Sequence, residues 1–189
     1  MYQNVIFDLD GTLLNTLEDL KDSTNYALAR HSYPTRTLEE VRCFVGNGIR
    51  KLIDRAVPEG TSVEKTDKVF ATFREYYATH SRVKTSMYEG MEQVMDVLKE
   101  QNISMAIVSN KADDAVKDLA KYYFAKYIDV AIGEREGIRR KPAPDSVYEA
   151  MRLLGATKEN TVYVGDSDVD RATAKNAGIP CISVTWGFR

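Results

Sequence analysis

The chain has 189 residues, 43% of them hydrophobic, which suits one compact domain or a domain carrying an insertion and argues against disorder. Its 26 basic and 28 acidic residues nearly cancel to a formal net charge of -2, so nothing points to nucleic-acid backbones or acidic membranes as partners, and small neutral or anionic molecules stay open. No apolar stretch approaches the roughly 20 residues of a membrane helix, and the amino terminus enters a strand-like run without a signal-peptide pattern, so a cytoplasmic protein is expected.

The first predicted element is a strand, "NVIFDL" over 4–9, nearly continuous in apolar character like strands covered on both faces. Two carboxylates, Asp8 and Asp10, stand at its end, followed by Gly11 and Thr12. Residues 17 to about 82 contain no convincing strand; helical patterns such as "LEDLKDSTNYALAR", "IRKLIDRAV" and "EKTDKVFATFREYYATH" are broken at Pro34, Gly46, Gly48 and Pro58–Gly60. That is too much for one crossover. A helical insertion joined near 13–17 and 81–88 is expected, dividing the chain into a core of 1–16 and 83–189 and a helical cap of 17–82. Further strands at 103–109, 128–133, 161–165 and 180–185 alternate with amphipathic stretches at about 90–101, 111–124, 144–154 and 169–177, the last stopped by Gly178 and Pro180. The alternation predicts an α/β fold with a doubly wound parallel sheet. Cys43, Cys181, His31 and His80 are too scattered for a zinc site or disulfide framework, and are read as small buried hydrophobes and ordinary helix residues. The tyrosines at 76, 77, 122, 123 and 127 are read as packing.

In an open parallel sheet ligands bind at the carboxyl edge, and several polar features fall there. Ser109–Asn110 is expected to end the second strand, Lys141 follows the third, and Asp166 follows the fourth with Asp170 one helical turn on. Each alone has an ordinary reading: Ser109–Asn110 as turn chemistry, Lys141 with Arg139 and Arg140 as a solvated patch, Asp166 or Asp168 as a helix cap. Together they converge from distant parts of the chain, which favours a catalytic site. Carboxylates alone would repel an anion, whereas Mg²⁺ prefers oxygen ligands and commonly takes a phosphate into its shell. With Mg²⁺ and Lys141 neutralising charge, Asp8 can attack phosphorus to form an aspartyl-phosphate. Asp10 can protonate the leaving alcohol and then take a proton from water. Ser109 and backbone N–H groups around 9–12 can hold phosphate oxygens, with Thr12 and Asn110 in support.

"DLDGT", Ser109, Lys141 in "RKPAP" and Asp166 in "GDSDVD" resemble the four motifs of the haloacid dehalogenase-like hydrolases, a likeness that spans nearly the whole chain. The insertion's position resembles that family's first type of cap, and "FVGNGIRKLIDRA" with "VTWGFR" resembles its phosphoglycolate phosphatase branch. The resemblance implies that Asp8 and Asp166 give side-chain oxygens to Mg²⁺, that Asp10 gives its backbone carbonyl, and that Asp170 supports the metal site. It implies a small phosphorylated metabolite as partner, 2-phosphoglycolate first, and a monomer or homodimer. Asn15 stands where many relatives carry an acid, and relatives of this branch usually continue beyond the position of Arg189 through another strand and helix. A sugar phosphomutase or an inorganic pyrophosphatase shares the core motifs, while a dehalogenase has no need of Asp10. A receiver-type signalling module also pairs acids, Mg²⁺ and a lysine, but has no use for so long an insertion. Within the insertion, Gly46, Asn47 and Gly48 form a turn that can approach a small anion at a helix start, with Arg50 adding charge.

Overall fold

The computed structural model describes residues 2–189. Along the chain the elements are β1 (Asn4–Phe7), β2 (Leu14–Asn15), α1 (Leu17–Arg30), α2 (Leu38–Phe44), α3 (Ile49–Ala56), α4 (Val63–His80), β3 (Ser86–Met87), α5 (Met91–Glu100), β4 (Ser104–Ala112), α6 (Asp113–Phe124), β5 (Val130–Glu134), α7 (Asp145–Leu154), β6 (Thr161–Gly165), α8 (Asp168–Ala177) and β7 (Cys181–Ser183). They form two compact units. One comprises the chain up to Leu14 together with Met87–Gly187 and Arg189, the other Asn15–Ser86 with Phe188.

In the first unit five parallel strands lie in the order β5-β4-β1-β6-β7. Successive residues of β1 point to opposite faces. Val5 and Phe7 join Met91 and Met95 of α5 and Val116, Leu119 and Phe124 of α6, while Ile6 joins Val147 and Ala150 of α7 and Ala174 and Ala177 of α8. Both faces are therefore dry, which is why the strands read as unbroken apolar runs. Ile6 is wholly buried, a contribution of about 1.5–3 kcal/mol for such a side chain. Because β1 lies in the middle, the chain first builds outward through β4 and β5 with α5 and α6 on one face, then crosses to β6 and β7 with α7 and α8 on the other. The reversal puts the topological switch point, where ligands bind in open parallel sheets, at the carboxyl end of β1.

Two expectations about this unit need correction. β4 does not stop at Ser109 but runs to Ala112, and its pairing with β5 slips on the way: Val108 lies opposite Ile132 and Ala112 opposite Glu134. Residues Ser109, Asn110 and Lys111 take up the slack as a bulge, a device that re-aims side chains at a sheet's rim. Cys181 is only half-buried in the short β7.

The second unit is helical, with Leu20, Leu28, Val41, Ile53, Val69 and Phe73 in its core. α2, unmarked in the sequence reading, begins at a capping box in which Thr37 and Glu40 satisfy each other's backbone N–H. α4 starts at Ser62, whose hydroxyl accepts from the Lys65 N–H at 3.4 Å. The buried carboxylate of Asp19, in the first turn of α1, accepts from the backbone N–H groups of Lys84 and Thr85 and from the Thr85 hydroxyl, all within 3.0 Å, so the returning segment is pinned to α1. The connecting segments β2 and β3 pair as a two-stranded ribbon. Cys43 is exposed, not a buried hydrophobe, and His31 lies just beyond α1, its Nε2 2.9 Å from the Thr72 hydroxyl. Tyr77 and Tyr127 are buried and Tyr122 is exposed. Among the described residues no helix is long and apolar enough to cross a membrane.

Candidate active site

Asp8 leaves β1 with its N–H still bonded to the Val164 carbonyl at 2.9 Å, so sheet pairing continues up to the residue that carries the acid. Its Oδ1 accepts from Lys141 Nζ at 2.7 Å. Lys141 comes from the segment after β5, far along the chain, and Asn110 holds it there. The Asn110 side chain accepts from the Lys141 N–H at 2.8 Å and donates to the Lys141 carbonyl at 3.1 Å. The lysine ammonium has three protons and meets three oxygens: Asp8, Asp170 Oδ1 at 2.7 Å and the Tyr163 hydroxyl at 3.0 Å. Tyr163 lies in β6 and had no role in the sequence reading, since a tyrosine in an apolar strand looks like core.

Asp170 sits in the first turn of α8. The cap there is Ser167, not Asp166 or Asp168, and it forms a capping box in which Asp170 Oδ2 accepts from the Ser167 N–H and hydroxyl. Asp166 follows β6. Its approach to the turn after β1 depends on Gly11, which has φ +90°, and any Cβ at that position would overlap the Asp166 carboxylate. Gly165 clears the same kind of space for Asp170. Asp8, Asp166 and Asp170 consequently place carboxylate oxygens within 4.8 Å of one another.

Three acids against one ammonium in a buried site have an electrostatic cost. Burial, then the neighbouring charge of Asp170, pushes the Asp8 carboxyl up to about 8 despite Lys141. For Lys141 burial opposes the charge, yet Asp170 and Asp8 outweigh it and hold the ammonium well above its ordinary value. Burial would also lift Asp170, but Lys141 and the Ser167 hydrogen bonds keep it below the usual carboxylate range. The asymmetry keeps Asp170 charged beside Lys141, while Asp8 and Asp166 bring further carboxylate oxygens to the same place. A set of hard oxygens with excess negative charge fits a divalent cation such as Mg²⁺.

Asp10 points to a different cation. Lys111 Nζ donates to its Oδ1 at 3.0 Å and its Oδ2 at 3.2 Å, with the lysine side chain only 2% exposed. Lys111 escaped the sequence reading because it was assigned to the start of a helix; the signal was its place directly after Ser109–Asn110. Ser109 is buried, its hydroxyl accepting from the Lys111 N–H at 3.2 Å. Thr12 is fully buried, its hydroxyl has no hydrogen-bond partner among the described residues, and its carbonyl accepts from Trp186 Nε1 at 3.2 Å. The segment after β7 thereby closes on the turn that follows β1.

The residues singled out in the insertion form no comparable cluster of buried charges. Gly46 and Gly48 do have positive φ, 103° and 82°, and Gly48 caps α3. Asn47 accepts from Arg55 at 2.9 Å. Arg50 is not a free charge beside the turn: it pairs with Asp54 at 2.8 Å and with Asp67, and lies over the Phe70 ring.

Known proteins resemble this chain over nearly its whole length. A protein described as phosphoglycolate phosphatase 1 from Pseudomonas aeruginosa is 34% identical over 97% of this chain and 70% of its own length. A provisionally named pyrophosphatase, PpaX, from Caldanaerobacter subterraneus is 31% identical over 96% of this chain and 81% of its own. Among solved structures, a protein from Lactobacillus delbrueckii subsp. bulgaricus, provisionally assigned as a phosphoglycolate phosphatase, superposes with a TM-score of 0.94 at 35% identity, over 100% of this chain and 88% of that one. The family profile of the haloacid dehalogenase-like hydrolases matches residues 5–184. With the profile spanning nearly the whole sequence, and with the acids, serine and lysine of the resemblance gathered at one sheet edge, the chain belongs to the haloacid dehalogenase-like hydrolases.

Proposed function

We propose that this hydrolase releases phosphate from a small phosphomonoester, with 2-phosphoglycolate as its leading substrate, through an aspartyl-phosphate on Asp8. The observation that carries the reading is the buried contact of Asp8 with Lys141 at 2.7 Å, flanked by Asp166 and Asp170. An Asp8 oxygen attacks phosphorus, the bond from phosphorus to the alcohol oxygen breaks, and Asp10 delivers the proton that the alcohol needs. In the second half Asp10 takes a proton from water as that water attacks the phosphorus of the intermediate, releasing phosphate and restoring the Asp8 carboxylate. The Ser109 hydroxyl holds a phosphoryl oxygen, and the Lys141 ammonium, fixed beside Asp8, supplies positive charge next to the phosphoryl group. Mg²⁺, held by Asp8 and Asp166 with the Asp10 carbonyl, would neutralise charge on the phosphoryl group. The helical unit, reached through two connecting segments, is suited to serve as a mobile cap that excludes water.

The substrate follows the names of the relatives above, and one of them favours a second reading, pyrophosphate hydrolysis. The discriminating experiment is phosphate release with Mg²⁺ from a panel containing 2-phosphoglycolate, an aryl phosphate, hexose phosphates and pyrophosphate. The phosphoglycolate reading expects the highest kcat/KM on that ester, with Asp8→Asn giving neither turnover nor an acid-stable phosphoenzyme. Faster turnover of pyrophosphate would install the second reading, and turnover by Asp8→Asn would reassign the nucleophile.

A further inference from the structure

The acid–base role given to Asp10 leaves open what aims its carboxylate. Lys141, the cation of the site, is taken up by Asp8, Asp170 and Tyr163. The Asp10 side chain is 21% exposed, and an aspartate at the lip of a crevice turns freely about its side-chain bonds unless something holds it. Lys111 meets it, its ammonium 3.0 and 3.2 Å from the two carboxylate oxygens.

The lysine is itself firmly placed. It lies in the bulge of β4, its N–H bonded to the Ser109 hydroxyl. The preceding residue, Asn110, is fastened through both ends of its amide to the backbone of Lys141. One asparagine therefore ties together the backbones that carry the two buried cations, and each cation faces a different aspartate of the "DLD" pair. A surface ion pair would say little. Here a flexible side chain is held at 2% exposure against the Asp10 carboxylate, which is how a positioned group is built.

We propose that Lys111 is the positioning residue of Asp10, its buried ammonium gripping both carboxylate oxygens so that Asp10 is aimed for its two proton transfers. An ammonium is a compact donor, so one oxygen can turn toward the leaving alcohol or the incoming water while the other stays held. The inference rests on the acid–base reading of Asp10 given above.

A double-mutant cycle tests it, with kcat and KM measured on 2-phosphoglycolate and an aryl phosphate for the wild type, Lys111→Met, Asp10→Asn and the double variant, and with thermal unfolding monitored for each. Because an error of about 1 Å in a catalytic group can cost on the order of 100-fold, Lys111→Met is expected to lower kcat by roughly 10- to 100-fold on both substrates with little change in KM. The same substitution should cost nothing further once Asp10 is already asparagine. Lys111→Arg, which keeps a charged donor to both oxygens, should recover part of the loss. Equal losses from Lys111→Met in both backgrounds, or a rise in KM alone, would overturn the inference. Wild-type turnover by Asp10→Asn would instead sink the acid–base reading, whatever Lys111 does. Should Lys111→Met fail to fold, Lys111→Gln carries the same cycle.

Discussion

At the carboxyl edge of the sheet the Lys141 side chain is 3% exposed and every proton of its ammonium meets an oxygen, whereas in the helical unit the Arg50 side chain is 33% exposed and grips two surface carboxylates. The first arrangement must be complete, because a buried charge left without partners costs several kcal/mol. The second tolerates loss, since exposed pairs contribute about 1 kcal/mol or less. The contrast lies between charges buried at strand ends and charges paired at the surface of the inserted helices.

The largest effect should come from the cation. EDTA is expected to abolish turnover and added Mg²⁺ to restore it. Asp166→Asn should weaken Mg²⁺ binding, followed by titration calorimetry, by at least roughly tenfold, since supporting groups alone can change metal affinity by that much. The raised Asp8 carboxyl sets the pH dependence. At neutral pH without metal it keeps its proton, and a bound cation must displace that proton, so Mg²⁺ affinity should climb as pH rises toward about 8. The stability of the metal-free protein should run the opposite way. A carboxyl raised in the folded state contributes stability below its unfolded value of 3.8 and loses that contribution as pH rises through about 8, so Asp8→Asn should flatten the decline. Unchanged turnover in EDTA would break the comparison at its stronger end.

A smaller effect is expected at Tyr163. Removing its hydroxyl leaves one Lys141 proton without an acceptor in a site with no room for error, at a cost of about 1–3 kcal/mol. Tyr163→Phe should lower the thermal midpoint by several degrees and lower kcat by roughly tenfold, because Lys141 then divides itself differently between Asp8 and Asp170. A variant with wild-type kcat and midpoint would show that the two carboxylates alone hold the lysine.

How far the sequence could be read follows the same division. The three central strands, β1, β4 and β6, were legible because burial on both faces leaves an apolar run, and Asp8 and Asp166 were legible because they stand where such runs stop. Lys111 and Tyr163 were not. Each follows from tertiary geometry: a slip of register in β4 turns Lys111 toward Asp10, and the reach of a phenol from the middle of β6 brings it to Lys141. Spacing along the chain contains neither. In the helical unit α1 and α4 carried clear periodic patterns, but α2 is seven residues long, too short for periodicity to speak, and only the Thr37–Glu40 capping pair marked it. The engagement of Arg50 depends on Asp67, which lies on α4 at a distance no local pattern covers.

The smallest effects should lie in that last region, and there two neighbouring residues separate backbone from charge. Gly48 has φ 82° and ψ 162°, a conformation that side chains resist, so Gly48→Val must reshape the turn before α3 at an expense of about 1–3 kcal/mol. Arg50→Ala leaves the turn alone and removes two exposed pairs, for a stability loss of about 1 kcal/mol or less. If the turn itself approaches the substrate, Gly48→Val should raise KM for phosphoglycolate by several-fold more than for an aryl phosphate, whose phosphate is held by the sheet unit. Arg50→Ala should then change either KM by less than about twofold, as befits a charge already satisfied by Asp54 and Asp67. A selective rise in the phosphoglycolate KM on Arg50→Ala would mean that Arg50 leaves those carboxylates for the substrate, and the exposed pairs would turn out to be a resting state of a binding residue.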